Sequence, residues 1–288
     1  MSAWPHGRSR TAWRKADTDS SMTWAGQIAR IAGSAVTGSR KLAGGDLGGA
    51  TRLDLADGRR IVAKHSLQAQ AEGAMLEAMR ATGAPVPQVL HAAGELLLIT
   101  FIDAADPPGD PGWRDLARVV ETLHASVDHA FGWPVDHAFG EVAIHNAECA
   151  SWPQFWGERR LACHAGHVSP AIARRLEALA TRLCDLIPER PPAALLHGDL
   201  WGGNILFAGG RVAALIDPAC YYGHREVDIA MLTLFDHPPE EFFGELSLDA
   251  GWRERLPVYR LWPLLVHLRL FGESYRPAVE RALEACGV

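Results

Sequence analysis

Between residues 23 and 102 the hydrophobic pattern of the chain changes its period twice. Residues 23–33 predict a short helix. From Val36 to Lys64 the pattern is that of strand and turn. A first hairpin carries the glycines Gly44, Gly45, Gly48 and Gly49. A second turns at Asp57-Gly58, and its outgoing strand ends in Ile61, Val62, Ala63 and Lys64. Residues 69–82 form a helical pattern that stops at Gly83, and Pro85 and Pro87 break the chain beyond it. Two further strands are predicted at 89–92 and 95–102, giving the order β-β-β-α-β-β.

After Asp103 the breaker-rich run Ala104–Gly112 reads as a lobe boundary, separating a lobe at 22–103 from one at 104–288. Beyond it helical periodicity dominates, at 113–125, 152–164 and 169–187, where Ser169 can cap and Pro170 can take the first helical position. Helices are also predicted at 226–235, 252–271 (with a kink at Pro257 or Pro263) and 276–285. Two short apolar strands around Gly209-Gly210 interrupt them. The expected fold class is α+β: a small β-rich lobe with one key helix, and a larger, mainly helical lobe.

Composition narrows the picture by exclusion. A formal net charge of −6 gives no basic footprint for nucleic acid or an anionic membrane. The longest apolar run, at 96–102, is too short to cross a bilayer. Five cysteines without a CxxC pair argue for reduced thiols, hence a cytoplasmic protein, here expected as a monomer. Residues 1–21 mix Arg, Lys, Ser and Asp without the apolar stretch of a secretory leader. They are expected to be a disordered extension, with a docking segment built on Trp4 and Trp13 as the other reading.

The chemistry concentrates in LLHGDLWGGNILF, residues 195–207. It places His197, Asp199 and Asn204 in one loop, with Asp217 thirteen residues beyond Asn204. The strand pair around Gly209-Gly210 would return Asp217 to that loop. Phosphoryl transfer from Mg-ATP to a hydroxyl requires this set: one carboxylate (Asp199) to orient and deprotonate the hydroxyl, and an amide oxygen (Asn204) with a second carboxylate (Asp217) to hold Mg2+ on the phosphates. The order matches the protein-kinase-like arrangement, with His197-Gly198-Asp199 for HRD and Asp217-Pro218 for DFG. Upstream, Lys64 at a strand end would reach the phosphates and pair with a glutamate of the next helix, for which both Glu72 and Glu77 are open, with Glu72, nearer the helix start, preferred. Gly45, Asp46 and Gly48 would bring backbone N–H groups over the phosphates, although no Walker A sequence follows. Adenine would lie against Thr100, Phe101 and Ile102.

On these phrases, together with residues 42–64, AEGAMLEAM, IDPACYYGHREVDIAML and RLFGES, the chain resembles the fructosamine kinase (ketosamine-3-kinase) family over most of its length from Trp24 onward. HGDLW-x-GN followed by DPA-x-YYG-x-RE-x-D separates that family from aminoglycoside and choline kinases. The resemblance implies an ATP- and Mg2+-dependent kinase for the 3-hydroxyl of a sugar bound to an amine, acting in deglycation. It makes Asp199 the base, Asn204 and Asp217 the metal ligands and Lys64 the phosphate lysine, with Trp201 lining the sugar pocket. Arg225, Glu226 and Asp228 would hold the catalytic loop behind His197, or form an ion-pair cluster at a helix start. Two departures stand out. His145-Asn146 replaces the usual QN on the substrate side, which bears on specificity. Asp236-His237-Pro238-Pro239 replaces a glycine pair, which is expected to alter only a loop. The competing readings are a kinase for an aminoglycoside or choline-like alcohol, and a catalytically silent nucleotide-binding protein.

Overall fold

The computed structural model describes residues 18–42, 49–104, 107 and 109–288, with side chains from Trp24 onward. Strands β1 (Val36–Lys41), β2 (Ala50–Leu55), β3 (Arg60–His65), β4 (Val89–Ala93) and β5 (Leu96–Thr100) form one antiparallel sheet in the order β1-β2-β3-β5-β4. Helix α1 (Thr18–Ala32) lies on one face and α2 (Ala69–Thr82) on the other. The two-residue period of the strands explains this sandwich. Leu53, Leu55, Ile61, Ala63, Leu96 and Leu98 pack with Ile28 of α1, whereas Val62, Leu97 and Ile99 pack with Ala69 and Leu76 of α2. The lobe therefore carries both predicted helices, with α2 as the key helix that brings Glu72 to Lys64. Residues 1–17 of the expected extension lie outside the described residues, and α1 begins inside that expected segment, at Thr18.

The larger lobe holds helices α3 (Asp110–His124), α4 (Trp152–Trp156), α5 (Pro170–Ala180), α6 (Leu183–Leu186), α7 (Glu226–Phe235), α8 (Glu240–Gly244), α9 (Trp252–Phe271) and α10 (Arg276–Ala285). Helix α7 is apolar on almost every side, and α9 is packed against it inside the main core. Short strands complete the lobe: β6 (Val127–Asp128), β7 (His137–Phe139), β8 (Val142–Ile144), β9 (Ala193–Leu196), β10 (Ile205–Ala208), β11 (Arg211–Leu215) and β12 (Tyr221–Gly223). They form the sheet β12-β9-β6 and the hairpins β7-β8 and β10-β11.

Three predicted helices differ in detail. The one expected at 152–164 is α-helical only to Trp156, then widens into a π turn over Gly157–Leu161 and tightens to 3₁₀ over Ala162–His167. The wide turn accompanies a fully buried Arg160, whose guanidinium lies 4.2 Å from the Tyr221 ring centroid. The helix expected at 169–187 begins as predicted, with Ser169 accepting the Ile172 N–H and Pro170 first. It breaks at Thr181, whose hydroxyl turns back to the Ala178 carbonyl, and resumes as α6. Helix α9 runs through Pro257 and Pro263 without ending.

Candidate active site

The site forms where β9 runs into the loop 197–204 and the β10-β11 hairpin leads back to Asp217. Gly198 makes the loop possible. Its φ is +78°, and a Cβ there would sit 2.0 Å from the Ala219 carbonyl oxygen, so only glycine fits. Ala219 N–H in turn bonds the His197 carbonyl at 2.9 Å, and Ile216 N–H bonds the Asn204 carbonyl at 3.0 Å. These bonds lay the Asp217 segment beside the Asp199 segment. Among the described residues Asp217 is the sole non-glycine with a positive φ, +56°. An aspartate tolerates that left-handed conformation better than most residues.

His197 is part of the scaffold. It is fully buried; its Nε2–H donates to the Ile216 carbonyl at 3.0 Å and its Nδ1 accepts the Asp199 N–H at 3.3 Å. That pair of bonds fixes one neutral tautomer, and burial lowers its pKa. Asp199 faces the cleft. Asn204 Nδ2 donates to its Oδ2 and to its carbonyl, both at 2.9 Å. Burial pushes the Asp199 carboxyl up to about 7, against the Asn204 hydrogen bond that pulls it down. With its nitrogen spent on Asp199, Asn204 presents Oδ1 as a hard oxygen donor. Asn204 Oδ1 and the Asp217 carboxylate form the donor set that a small divalent cation prefers.

Across the cleft, Lys64 Nζ donates to Glu72 Oε1 at 2.6 Å and also pairs with Asp217. Burial works to lower the Lys64 pKa, but the two carboxylates outweigh it and hold the lysine cationic. The partner is thus Glu72; Glu77 pairs with Arg80 on the surface. Gly73 explains how Glu72 arrives there. A Cβ at position 73 would stand 2.4 Å from the Ala92 Cβ, so glycine lets α2 settle onto β4. We expect Lys64→Met to weaken ATP use, and Glu72→Gln to lower turnover by tenfold or more, with Glu77→Gln within about twofold of the parent, since exposed pairs contribute little. Steady-state kinetics with ATP varied check this, and equal effects at 72 and 77 would contradict it.

The family model for fructosamine kinase matches residues 21–287. The chain belongs to the fructosamine kinase family. It is 31% identical over 227 residues to the chloroplastic protein-ribulosamine 3-kinase of Arabidopsis thaliana, covering 72% of this chain and 68% of that one. It is 33% identical over 237 residues to probable ketoamine kinase slr1563 of Synechocystis sp., covering 75% and 78%. A solved structure from Thermobifida fusca, provisionally named fructosamine-3-kinase, superposes with a TM-score of 0.84 at 29% identity, covering 91% of this chain and 97% of that one. Aminoglycoside phosphotransferase APH(4)-Ia shares the protein-kinase-like fold at 18% identity and a TM-score of 0.62. As a fructosamine kinase family member, this protein is an ATP-dependent phosphotransferase acting on a hydroxyl.

Not every expected site residue of this fructosamine kinase family member serves the loop. Asp228 does: its oxygens accept the His197 N–H at 2.8 Å and the Gly198 N–H at 2.9 Å. Glu226 instead pairs with Arg255 of α9, at 2.6 and 2.8 Å, and Arg225 reaches Glu121 of α3 and the Ser247 carbonyl. Both are the ion-pair cluster at a helix start, because α7 is buried all round and its acidic first turn needs cations. Gly45, Asp46 and Gly48 lie outside the described residues. Of the residues expected to face adenine, Thr100 and Phe101 spend their N–H groups on the Gln88 and Arg60 carbonyls, which leaves Ile102 as the one with a backbone donor to offer. The guanidiniums of Arg52 and Arg60 lie over the Phe101 ring, 5.2 and 5.0 Å from its centroid.

Trp201 lies over Gly203, where a Cβ would meet the indole at 2.2 Å, and its ring meets Phe235 edge-on at 6.3 Å. Of the two departures, Asn146 is framework. It is buried, bonded to Asp136, to the Val135 carbonyl and to Arg160. Asp236 corrects the expectation that its segment alters only a loop, because its Oδ2 accepts the Gly202 N–H at 2.7 Å inside the loop 197–204. Sequence reasoning also missed His124, whose Nε2 lies 2.9 Å from Asp228 Oδ2. Its signal was a polar residue in register with Leu116 and Val120 on the apolar face of α3.

Proposed function

We propose that this protein phosphorylates the sugar 3-hydroxyl of ketosamines, with Mg-ATP as donor, in deglycation or metabolite repair. The supporting observation is the closed set Lys64–Glu72–Asp217 facing Asp199–Asn204 in a fructosamine kinase family chain, with relatives named for ketoamine and ribulosamine. The magnesium ion would be held by Asn204 and Asp217 and would neutralise phosphate charge. Lys64, fixed by Glu72, binds the α- and β-phosphates. Asp199 accepts the proton of the attacking hydroxyl and aims it at the γ-phosphate. Its carboxyl, titrating near neutrality, has the basicity a proton acceptor needs. Asp228 keeps the loop backbone, and with it Asp199, in place. Trp201 offers a flat apolar wall to the CH face of a sugar. The protein acts as a monomer on a free or protein-bound adduct in a reducing, cytoplasmic setting. Among the described residues no helix is long and apolar enough to cross a membrane.

The test is ADP release with fructose-lysine, ribulose-lysine, an aminoglycoside and choline, with phosphorus NMR of the product. Turnover of a ketosamine with phosphate on the sugar is expected. Trp201→Ala should raise KM for the ketosamine by tenfold or more, the order expected for losing an aromatic wall, and barely change KM for ATP. Fast turnover of choline or the aminoglycoside, with none of a ketosamine, would overturn the substrate assignment.

A further inference from the structure

Asp236 follows the last residue of α7 and reaches back to the loop 197–204. Its two oxygens have different surroundings. Oδ2 accepts the Gly202 N–H at 2.7 Å, whereas Oδ1 lies over Gly202, 2.5 Å from where a Cβ there would be. The first oxygen is spent on the loop. The second stands over the loop, three residues along the chain from Asp199.

Among the described residues no lysine or arginine forms an ion pair with this carboxylate; burial raises its pKa, against the Gly202 hydrogen bond and the neighbouring His237, which lower it. The group is nevertheless half-buried. A carboxylate held partly out of water without a cation is costly to the fold. That cost is offset when a cation arrives with a ligand, and a charge-assisted hydrogen bond to it is among the stronger polar contacts. Beside Asp236 stand Phe235 and the Trp201 indole, so a flat apolar wall and an unpaired anion adjoin.

We infer that Asp236 receives the protonated amine of the acceptor and selects ketosamines whose amine is positively charged. This rests on the ketosamine reading of the site. The reach is consistent. In a ketosamine the amine nitrogen and the 3-oxygen are four bonds apart, about 5 Å with bonds near 1.5 Å. Adding a hydrogen bond of about 3 Å at each end gives a span of about 11 Å. Three residues of extended chain, the separation of Asp199 from Gly202, cover at most about 11 Å. The span of such a molecule therefore matches the upper limit of the separation between Asp199 and the residue under Asp236, with Trp201 between them in the chain.

Asp236→Asn tests the charge while keeping an oxygen for the Gly202 N–H. The acceptors are fructose joined to propylamine, which is cationic at neutral pH, and its N-acetylated form, which is not. The wild-type protein is expected to show a KM for the amine at least tenfold below that for the amide. In Asp236→Asn the amine KM should rise at least tenfold relative to the amide KM and the ATP KM, so that the wild-type preference for the amine is lost. Added salt should raise the wild-type KM for the amine and leave the variant flat. Asp236→Glu, which keeps the charge, should retain the preference for the amine even if its melting temperature drops. An equal rise in both acceptor KM values, or a fall in kcat alone, would overturn the inference and leave Asp236 as a prop of the loop. If the wild-type protein turns over neither acceptor, the ketosamine reading fails and takes this inference with it. If it turns over both and Asp236→Asn is indifferent, the inference alone fails.

Discussion

Asp199→Ala is expected to lower kcat by roughly 10²–10⁴, the range for removing a positioned general base, with ATP affinity almost unchanged. Asp217→Ala is expected to abolish productive binding of Mg-ATP. The division follows from where each carboxylate is tied. Among the described residues Asp199 is bonded to Asn204 and to no cation, so in the proposed role its loss costs the proton acceptor and the aim of the hydroxyl. Asp217 is bonded to Lys64 and follows Ile216, whose N–H bonds the Asn204 carbonyl, so in the proposed roles its loss removes a metal ligand and one of the two carboxylates that hold Lys64. Titration calorimetry with a non-hydrolysable ATP analogue, with and without Mg2+, separates the two. Equal loss of nucleotide affinity in both variants would refute the assignment. Asp217→Asn is a gentler companion, since it keeps the side chain's shape in a left-handed conformation that few residues accept.

Much of this geometry was legible in the sequence because it depends on local rules. The strands of the small lobe alternate strictly, so Ile61 and Ala63 go to one face and Val62 to the other. Gly83 ends α2 in a left-handed turn, as the sequence pattern implied. The loop from His197 to Asn204 is short, and its spacing limits where Asp199 can point. What escaped the sequence depends on contacts between distant segments. Strands β6, β7 and β8 have two or three residues, too few for any period to show. Arg160 reads as one more surface charge until Phe155, Tyr221 and Trp262 close around it, 4.8, 4.2 and 5.1 Å from its guanidinium. The roles of Arg225, Glu226 and Asp228 could not be divided from their adjacency. In a helix start, neighbouring residues point in different directions, so one met the loop and the others met α3 and α9.

The second large effect is expected at Asp228, a residue that touches no substrate. It is fully buried, and it gathers the His197 and Gly198 N–H groups and the His124 ring onto one carboxylate. Burial works to raise its pKa, but the His124 hydrogen bond and the nearby donors outweigh it, so the group is held below its usual value and stays ionised. Asp228→Ala strands two buried backbone donors and a buried histidine. At about 1–3 kcal/mol for each unmet group the protein should lose several kcal/mol, a fall in Tm of roughly 10 °C for a chain of this size. Asp228→Asn is the sharper test. It preserves volume, but it offers one oxygen and one NH2 to two N–H donors, so one donor must face another. We expect its kcat to fall at least tenfold, because the distortion falls on the peptide units that aim Asp199. His124→Ala leaves both backbone bonds intact, so it should cost stability while preserving most of kcat. Thermal melts and single-turnover rates distinguish these outcomes. A near-normal kcat in Asp228→Asn would show that the loop holds its shape without the carboxylate, through Gly198 and the Ala219–His197 backbone bond alone.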